Sequence, residues 1–241
     1  MESIRLNKYL SEAGVCSRRE ADRLAEQGKI LVDGLPAQVG MKVLPSQHIT
    51  VNGKTVKAVE EQVLLAVNKP RGIECTAEPK VKKNIVKFVN YPVRIYPVGR
   101  LDKDSQGLIL MTNQGDLVNK MMRAGNYHEK EYIVTVDKPL TREFIQRMSQ
   151  GVPVLDTVTR KCKVWQTGKK SFHIILTQGL NRQIRRMCEY LGYEVKTLKR
   201  IRIMNIQLGD LQEGQYRKVT EEEWRKLQEL IAHSSNTTVY Q

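Results

Sequence analysis

The sequence predicts an α+β protein, in which a small N-terminal α/β module precedes a larger domain built on a mixed, mostly antiparallel sheet with flanking helices. Strand-like stretches rich in β-branched residues come in adjacent pairs as often as they alternate with helical stretches, which favours antiparallel pairing over a doubly wound sheet. Short helices and strands crowd into the first part of the chain and end at a polar segment typical of a linker. We therefore expect a module over residues 1–53, a linker over 54–62, a larger domain over 63–232 and a frayed tail over 233–241.

The module begins with two short helices. Apolar residues at helical spacing predict the first helix from Arg5 to Ala13, and Gly14 ends it. Ser17 and Glu20 have the spacing of a capping box, which predicts a second helix that begins there and ends at Gly28. The stretches KILVDG and HITVNG then predict two strands, each followed by a tight turn at its Asp-Gly or Asn-Gly pair.

The larger domain alternates less regularly between strands and helices. Its last helix has the clearest start, because Thr220 and Glu223 form another capping box ahead of an apolar face. The predicted strands are 63–68, 108–113, 130–136, 161–166, 171–177 and 195–206, and the predicted helices are 115–123, 141–150, 181–191 and 221–232.

Composition limits the classes of partner. Lysine and arginine number 40 against 26 aspartates and glutamates, a formal net charge of +14, which suits a polyanion better than it suits an ordinary basic protein. No apolar run reaches the ~18 residues of a membrane span, and the N-terminus lacks the apolar core of a signal peptide. The four cysteines and four histidines are scattered, so we expect a reduced cytoplasmic protein with no metal site, and the missing apolar span leaves no expectation of a membrane partner.

The stretch GRLDKDSQGL carries two carboxylates, Asp102 and Asp104, and several functions are consistent with this pair. A calcium-binding loop is excluded because its twelfth position is Asn113, where a bidentate glutamate is required. A magnesium site is also disfavoured, because the sequence offers neither further carboxylates nor a phosphate-binding loop nearby. An ordinary solvated turn and a covalent nucleophile both remain open. A nucleophilic carboxylate must stay ionised in a partly dry pocket, for which Arg100 and the arginines of the helix over 181–191 are candidate cations.

The first module has three readings of its own, which are a DNA-reading helix-turn-helix, a structural hairpin and a reader of RNA shape. The stretch RLNKYLSEAGVCSRREADRLAEQGKILVDG resembles the S4 RNA-binding domain over about residues 5 to 53. An arginine-faced helix beside a small ribbon suits phosphate contacts on structured RNA better than it suits base recognition.

Three stretches of the larger domain carry a second resemblance. YPVGRLDKDSQGLILMTNQG, KEYIVTV and GLNRQIRRMCEYLGYEV resemble the three catalytic motifs of the RsuA-type pseudouridine synthases, and LLAVNKPRGI is similar to the segment that opens their catalytic domain. The sequences of these motifs are most similar to those of the RluF branch. This resemblance implies large-subunit ribosomal RNA, that is 23S rRNA, as the substrate.

The resemblance also implies roles for individual residues. Asp102 would be the catalytic nucleophile, Tyr132 the aromatic ring against the flipped base, and Arg185 the cation paired with Asp102. Asp104 matches no catalytic position, and we expect it to be structural or exposed. The residues expected to bind or position the RNA are Arg100, which would enter the base stack, Lys69 of the family's Lys-Pro turn, and Arg18, Arg19, Arg182 and Arg186.

The reaction that follows is a cofactor-free isomerisation of uridine to pseudouridine in RNA. Three rivals stay open at this point. One is a non-catalytic RNA-binding or ribosome-associated protein, another is a DNA-binding regulator, and the third is the same chemistry on 16S ribosomal RNA or a transfer RNA stem-loop. No heptad or other dimerisation element is apparent, so we expect a monomer.

Overall fold

The computed structural model describes residues 3–57 and 61–234. Contacts divide the chain into two compact units. The smaller unit contains the chain up to Val63 with the short segments Tyr91–Ile95 and Asn113–Gly115, and the larger contains Leu64–Asn90, Tyr96–Thr112 and the chain from Asp116 onward. Within the described ranges, no helix has both the length and the apolar character that crossing a bilayer requires.

The smaller unit packs two helices against short strands, as predicted. The amide of Glu20 donates a hydrogen bond to the Ser17 hydroxyl over 3.2 Å, which caps the second helix at the expected residue. Buried aliphatic side chains from both helices and the strands form one core. The elements are α1 (Leu6–Glu12), α2 (Arg18–Glu26), β1 (Ile4–Arg5), β2 (Ile30–Val32), β3 (Leu35–Pro36), β4 (Lys42–Val43), β5 (Ile49–Val51) and β6 (Lys54–Thr55). Strands β3-β2-β5-β6 form an antiparallel sheet, and β1 pairs with β4.

The small sheet continues into the segment predicted as a linker. Strand β6 pairs with β5, with Val51 opposite Lys54, so the small sheet includes Lys54 and Thr55, and the boundary at residue 53 stays a prediction. Residues 58–60 of the predicted linker lie outside the described part of the chain. So do residues 235–241 of the predicted tail, whereas the hydroxyl of Ser234 lies 2.8 Å from Nε2 of His128.

The larger unit is built on one nine-stranded sheet, which confirms the predicted mixed and mostly antiparallel architecture. Its strands are β7 (Leu64–Lys69), β8 (Tyr96–Val98), β9 (Gln106–Thr112), β10 (Lys130–Val136), β13 (Lys163–Gly168), β14 (Ser171–Leu176), β15 (Val195–Ile203), β16 (Ile206–Gln207) and β17 (Tyr216–Lys218), while β11 (Pro153–Val154) and β12 (Thr157–Val158) form a separate hairpin. The main order is β13-β14-β10-β15-β9-β7-β17, with β8 on β9 and β16 on β15. The pairing of β9 with β15 is parallel, and the other pairings between strands of this sheet are antiparallel.

The helices of this unit lie close to their predicted positions. They are α3 (Ile85–Val89), α4 (Gly115–Met122), α5 (Arg142–Gln150), α6 (Gln183–Tyr190) and α7 (Glu221–Ile231), of which α3 was not predicted. The capping box at the start of α7 is confirmed, because the Thr220 hydroxyl accepts from the amide of Glu223 while the Glu223 carboxylate accepts from the amide of Thr220. Behind it, Leu227 and Ile231 are buried.

Two separate cores fill the larger unit, and the candidate site lies between them. One core gathers around β10, β14, α5 and α6, and the other around β7, β9, α4 and α7. Their strands meet where β9 runs parallel to β15, with Gln106 opposite Lys199 and Gly107 opposite Arg200. The loop that carries Asp102 enters β9 at this junction.

Candidate active site

The loop between β8 and β9 is shaped by two glycines with positive φ. Gly107 has φ +100°, and a Cβ there would meet the backbone oxygen and nitrogen of Arg200 on β15. Only glycine permits this close approach of the two parallel strands. Gly99 has φ +74°, and a Cβ there would meet the end of the flexible Met122 side chain. Between them, the amide of Ser105 donates to the carbonyl of Asp102 over 3.0 Å, which closes a tight turn and fixes the position of the Asp102 side chain.

A cavity of about 290 Å³ opens beside this turn, of a size suited to a small planar group. It joins the loop to β10, to the middle of β15 and to the start of α6. The sequence-predicted residues that line it are Arg100, Asp102, Tyr132, Arg182 and Arg185. Residues more than 80 positions apart in the chain are thus brought together, which the spacing of the motifs alone could not establish.

The arginines are distributed between the two loop carboxylates differently from the expectation. Arg182 binds Asp104 through both terminal nitrogens, at 3.2 Å each, and Nη2 of Arg185 lies 3.3 Å from Oδ2 of Asp104. Asp102 has instead a longer ion pair, 3.8 Å from its Oδ2 to Nη1 of Arg182. The expected pairing of Arg185 with Asp102 is therefore absent from this structure, because the turn aims the carboxylate of Asp104 at α6.

Asp104 has a structural role that anchors the loop to α6. Burial acts to raise the pKa of Asp104, but the hydrogen bond from Arg182 and the positive charges of Arg185 and Arg182 outweigh it, so the pKa lies below its ordinary value. Arg185 also donates through Nη2 to the hydroxyl of Ser105 and through Nη1 to the carbonyl of Val195, 3.3 and 3.2 Å away. The loop, the helix and the start of β15 are held together by these contacts.

The ring of Tyr132 lies on the buried face of β10. Residues of this strand alternate between buried and partly exposed, and Lys130, Tyr132 and Val134 share the buried face. The Tyr132 residue is 9% exposed, and its ring centroid lies 6.0 Å from Cζ of Arg200. Lys130 and Arg200 both line the cavity as well. Neither was singled out from the sequence.

Four sequence-predicted binding residues lie elsewhere. Lys69 is fully buried, and its ammonium donates to the carbonyls of Pro70 and Ile73 over 2.9 and 2.8 Å. Burial lowers the pKa of Lys69, and the side chain holds the Lys-Pro turn, so direct contact with RNA does not fit its position. Arg186 is partly exposed and donates to the carbonyl of Asn181 over 3.1 Å. Arg18 and Arg19 are exposed on α2 of the smaller unit.

A sequence signal for Lys130 and Arg200 did exist. In KEYIVTV a strict alternation puts Lys130 on the same face as Tyr132, so an interior role for Tyr132 implies a buried lysine two residues earlier. In VKTLKRIRI the apolar Leu198 marks the interior face, which Arg200 shares. A cation at an interior strand position is unusual and indicates a functional site.

Comparison with known families identifies the class of this molecule. A family model described as RNA pseudouridylate synthase matches residues 63–190, just over half of the chain, and an S4 domain model matches residues 4–49. The chain therefore belongs to the RNA pseudouridylate synthase family, isomerases that convert uridine in RNA to pseudouridine, and carries an S4 domain ahead of the synthase domain. The predicted fold, enzyme class and RNA substrate are confirmed.

Individual relatives narrow the comparison. The chain is 57% identical to the dual-specificity RNA pseudouridine synthase RluF of Escherichia coli strain K12, over 97% of this chain and 81% of that protein. It is 36% identical to ribosomal large subunit pseudouridine synthase B of Bacillus subtilis strain 168, over 96% of this chain and 98% of that protein. A crystal structure of a pseudouridylate synthase superposes with a TM-score of 0.69 at 26% identity, covering 93% of this chain and all of that one. The predicted likeness to the RluF branch is confirmed.

Proposed function

We propose that this protein converts a uridine of large-subunit ribosomal RNA to pseudouridine, with Asp102 as the nucleophile. The observation that carries the proposal is the cavity in which the partly exposed carboxylate of Asp102 and the buried ring of Tyr132 meet four arginines, Arg100, Arg182, Arg185 and Arg200. The names of the two relatives support the RNA: one is a ribosomal large subunit synthase, and the other is described as having dual specificity. The latter word favours a second RNA class as an additional substrate.

Different exposed arginines would contact different parts of the RNA. Arg18 and Arg19 on α2 are exposed, and their charges suit backbone phosphates of a folded RNA. Arg186 would contact phosphate near the cavity. Arg100 is exposed at the cavity rim, where its side chain can fill the gap that a uridine leaves in the base stack. Removing a base from its stack costs a few kcal/mol, so a group that fills the gap lowers the barrier to base flipping.

The cavity then holds the everted base for reaction. Stacking on the Tyr132 ring contributes about 1–3 kcal/mol by analogy with other base–aromatic contacts. Asp102 lies at the cavity edge with its side chain 35% exposed, so its oxygens are free to reach the sugar or the base. Arg182 and Arg185 balance its negative charge, which a partly dry site would otherwise disfavour. The S4 module docks the RNA, and the synthase domain performs the chemistry.

We further propose that the protein acts as a cytoplasmic monomer. Ribosomal RNA of bacteria resides in the cytoplasm, and the sequence has no apparent heptad or other dimerisation element. Sedimentation of the purified protein at micromolar concentration checks this; a concentration-dependent dimer would contradict it.

Pseudouridine mapping tests the function. Total RNA from cells with and without the gene is mapped for pseudouridine, and the positions that disappear are restored by a plasmid copy. We expect at least one position in large-subunit ribosomal RNA to depend on the gene, and purified protein to modify the same position without added cofactor. The matched variant Asp102→Asn should bind that RNA and turn none of it over. Normal turnover by Asp102→Asn would refute the nucleophile, and unchanged maps would refute the substrate.

A further inference from the structure

The floor of the cavity is made by two buried cations with no carboxylate partner. Lys130 is 5% exposed and Arg200 is 1% exposed, and both line the cavity. The ammonium of Lys130 has one hydrogen bond, over 3.2 Å to the carbonyl of His128. Arg200 donates through Nε to the carbonyl of Leu108 over 2.6 Å, and its Nη2 has no hydrogen-bond partner. None of the buried residues in the described part of the chain is an aspartate or a glutamate.

Such an arrangement is unfavourable for folding. Burying an ion removes its hydration, and two like charges in one region repel each other. Burial, followed by the positive charge of Arg200, lowers the pKa of Lys130 to about 8. A protein that needed only packing here would gain stability from apolar side chains at these two positions. The pair is therefore best understood as a site prepared for negative charge that arrives with a ligand.

The proposed reaction creates negative charge at this place. In the route through the sugar, an oxygen of Asp102 bonds to C1′ while the N1–C1′ bond breaks. The electron pair of the broken N1–C1′ bond stays on the uracil. In the route through a glycal, the Asp102 carboxylate accepts the C2′ proton while the N1–C1′ bond breaks, and the same anion leaves. In the route through the ring, Asp102 adds to C6 and the electron pair passes to O4. Every route places charge on a carbonyl oxygen of the uracil.

We propose that Lys130 is a further catalytic residue, which donates a hydrogen bond to a carbonyl oxygen of the flipped uracil and stabilises the base as it becomes anionic, with Arg200 supplying a second fixed charge behind it. The proposal rests on the proposed function, because it assigns a role within that reaction. Lys130 and Tyr132 stand on the same face of β10, so a uracil against the Tyr132 ring lies within reach of the ammonium.

The electron and proton balance closes without another reactant. In the sugar route the released base turns, C5 bonds to C1′, and the C1′–O bond to Asp102 breaks so that the carboxylate regains its electron pair. C5 then loses its proton to solvent, and N1 gains one. Lys130 remains an ammonium throughout, since it stabilises charge and transfers no proton.

The pH dependence of kcat/KM provides the test. This ratio reports the ionisation of the free enzyme. The substrate is deproteinised ribosomal RNA from cells that lack the gene. For the wild-type enzyme we expect kcat/KM to fall above pH 8, where Lys130 loses its proton. Lys130→Arg should keep its rate to pH 9.5, because a guanidinium stays charged. Lys130→Met should be about 10²-fold slower at pH 7 and lack the alkaline decline. The exposed Lys163→Met serves as the matched control and should behave as wild type.

The other charged and titratable groups of the cavity are common to all four proteins. They are Arg100, Asp102, Tyr132, Arg182, Arg185 and Arg200. A purely structural lysine would change melting temperature or RNA affinity and leave the shape of the pH profile as in wild type. The same alkaline decline in Lys130→Arg as in wild type, or a Lys130→Met rate within threefold of wild type, would overturn the proposal. Should Lys130→Met fail to fold, the comparison of wild type with Lys130→Arg decides alone. Inactive wild type would refute the proposed function itself, which is a separate outcome.

Discussion

Replacing Lys130 with methionine should make the folded protein more stable while it slows the reaction. The buried ammonium titrates at about 8 instead of 10.5, so at pH 7 the folded state bears a penalty of about 3 kcal/mol, from about 1.36 kcal/mol for each pH unit. Methionine keeps a similar length and needs no hydration. The lost hydrogen bond to His128 offsets about 1 kcal/mol, so we expect a net stabilisation of about 2 kcal/mol at pH 7.

The sign of the pH dependence follows from the lowered pKa. Between pH 8 and 10.5 the unfolded wild type holds a proton on this lysine that the folded protein has lost, so wild-type stability rises with pH. By pH 9.5 it recovers about 2 kcal/mol of the penalty, and the advantage of Lys130→Met should vanish. Lys69 contributes in the same direction in both proteins and cancels in the difference.

Urea denaturation followed by tryptophan fluorescence measures this difference, because Trp165 and Trp224 both belong to the larger unit. The comparison of wild type with Lys130→Met is made at pH 7 and at pH 9.5, with Lys163→Met as the control for removing a positive charge from the surface. A Lys130→Met protein less stable than wild type at pH 7, or an advantage equal at both pH values, would show that Lys130 is not a desolvated ammonium.

Three further substitutions test the loop and its arginines. Asp104→Asn should lower stability at pH 7 by less than ~1 kcal/mol because the side chain is 40% exposed, and the difference should vanish as pH falls through the lowered carboxyl pKa, measured by denaturation at several pH values. Gly107→Ala combines strain at positive φ with a clash against a backbone and should lower Tm by roughly 6–12 °C, whereas Gly125→Ala, with open space around it, should change Tm little; equal Tm values would disprove the close approach. Arg185→Ala should abolish turnover with little change in the salt dependence of RNA binding, whereas Arg186→Ala should lower the salt slope by about one at near-normal turnover, and the reverse result would exchange their roles.

Periodicity and capping residues were enough to predict the main helices and the long strands. The helix that Ser17 caps and the one that Thr220 caps begin where their hydroxyls predict, since capping is a local interaction. The stretch over 195–206 was predicted as one strand, but it turns at Met204, with φ 53°, and returns as β16. Asn205 is the one local turn signal at this point, and it is weak on its own because no glycine or proline accompanies it.

Short elements escaped prediction for a related reason. Helix α3 has five residues, too few to show a helical period, and β8 and β17 have three residues each. The two strands are held by pairing, β8 with β9 and β17 with β7, across loops or long stretches of sequence. Tertiary contacts of this kind override weak local preference.

Several of the residues predicted for the site line one cavity, but the sequence did not predict which charged groups pair there. Motif resemblance supplied Asp102, Tyr132 and Arg185, which line one cavity. Which carboxylate each arginine would contact depends on how the turn closed by Ser105 directs two side chains only two residues apart. That direction follows from the close approach of β9 to β15, a feature that appears only once the sheet is assembled.

The two loop carboxylates have different arginine contacts, and this difference fits the proposed role of Asp102 as the nucleophile. A carboxylate held in a bidentate arginine pair has its lone pairs committed to hydrogen bonds, so it attacks carbon poorly. Asp104 accepts that pairing and anchors Arg182 and Arg185 beside the cavity. Asp102 therefore experiences their positive charge across 3.8 Å or more, with its oxygens unclaimed. The buried cations of the cavity act in the same way. Because Lys130 and Arg200 have no carboxylate partner, their positive charge is available to stabilise a base that becomes negative only during the reaction.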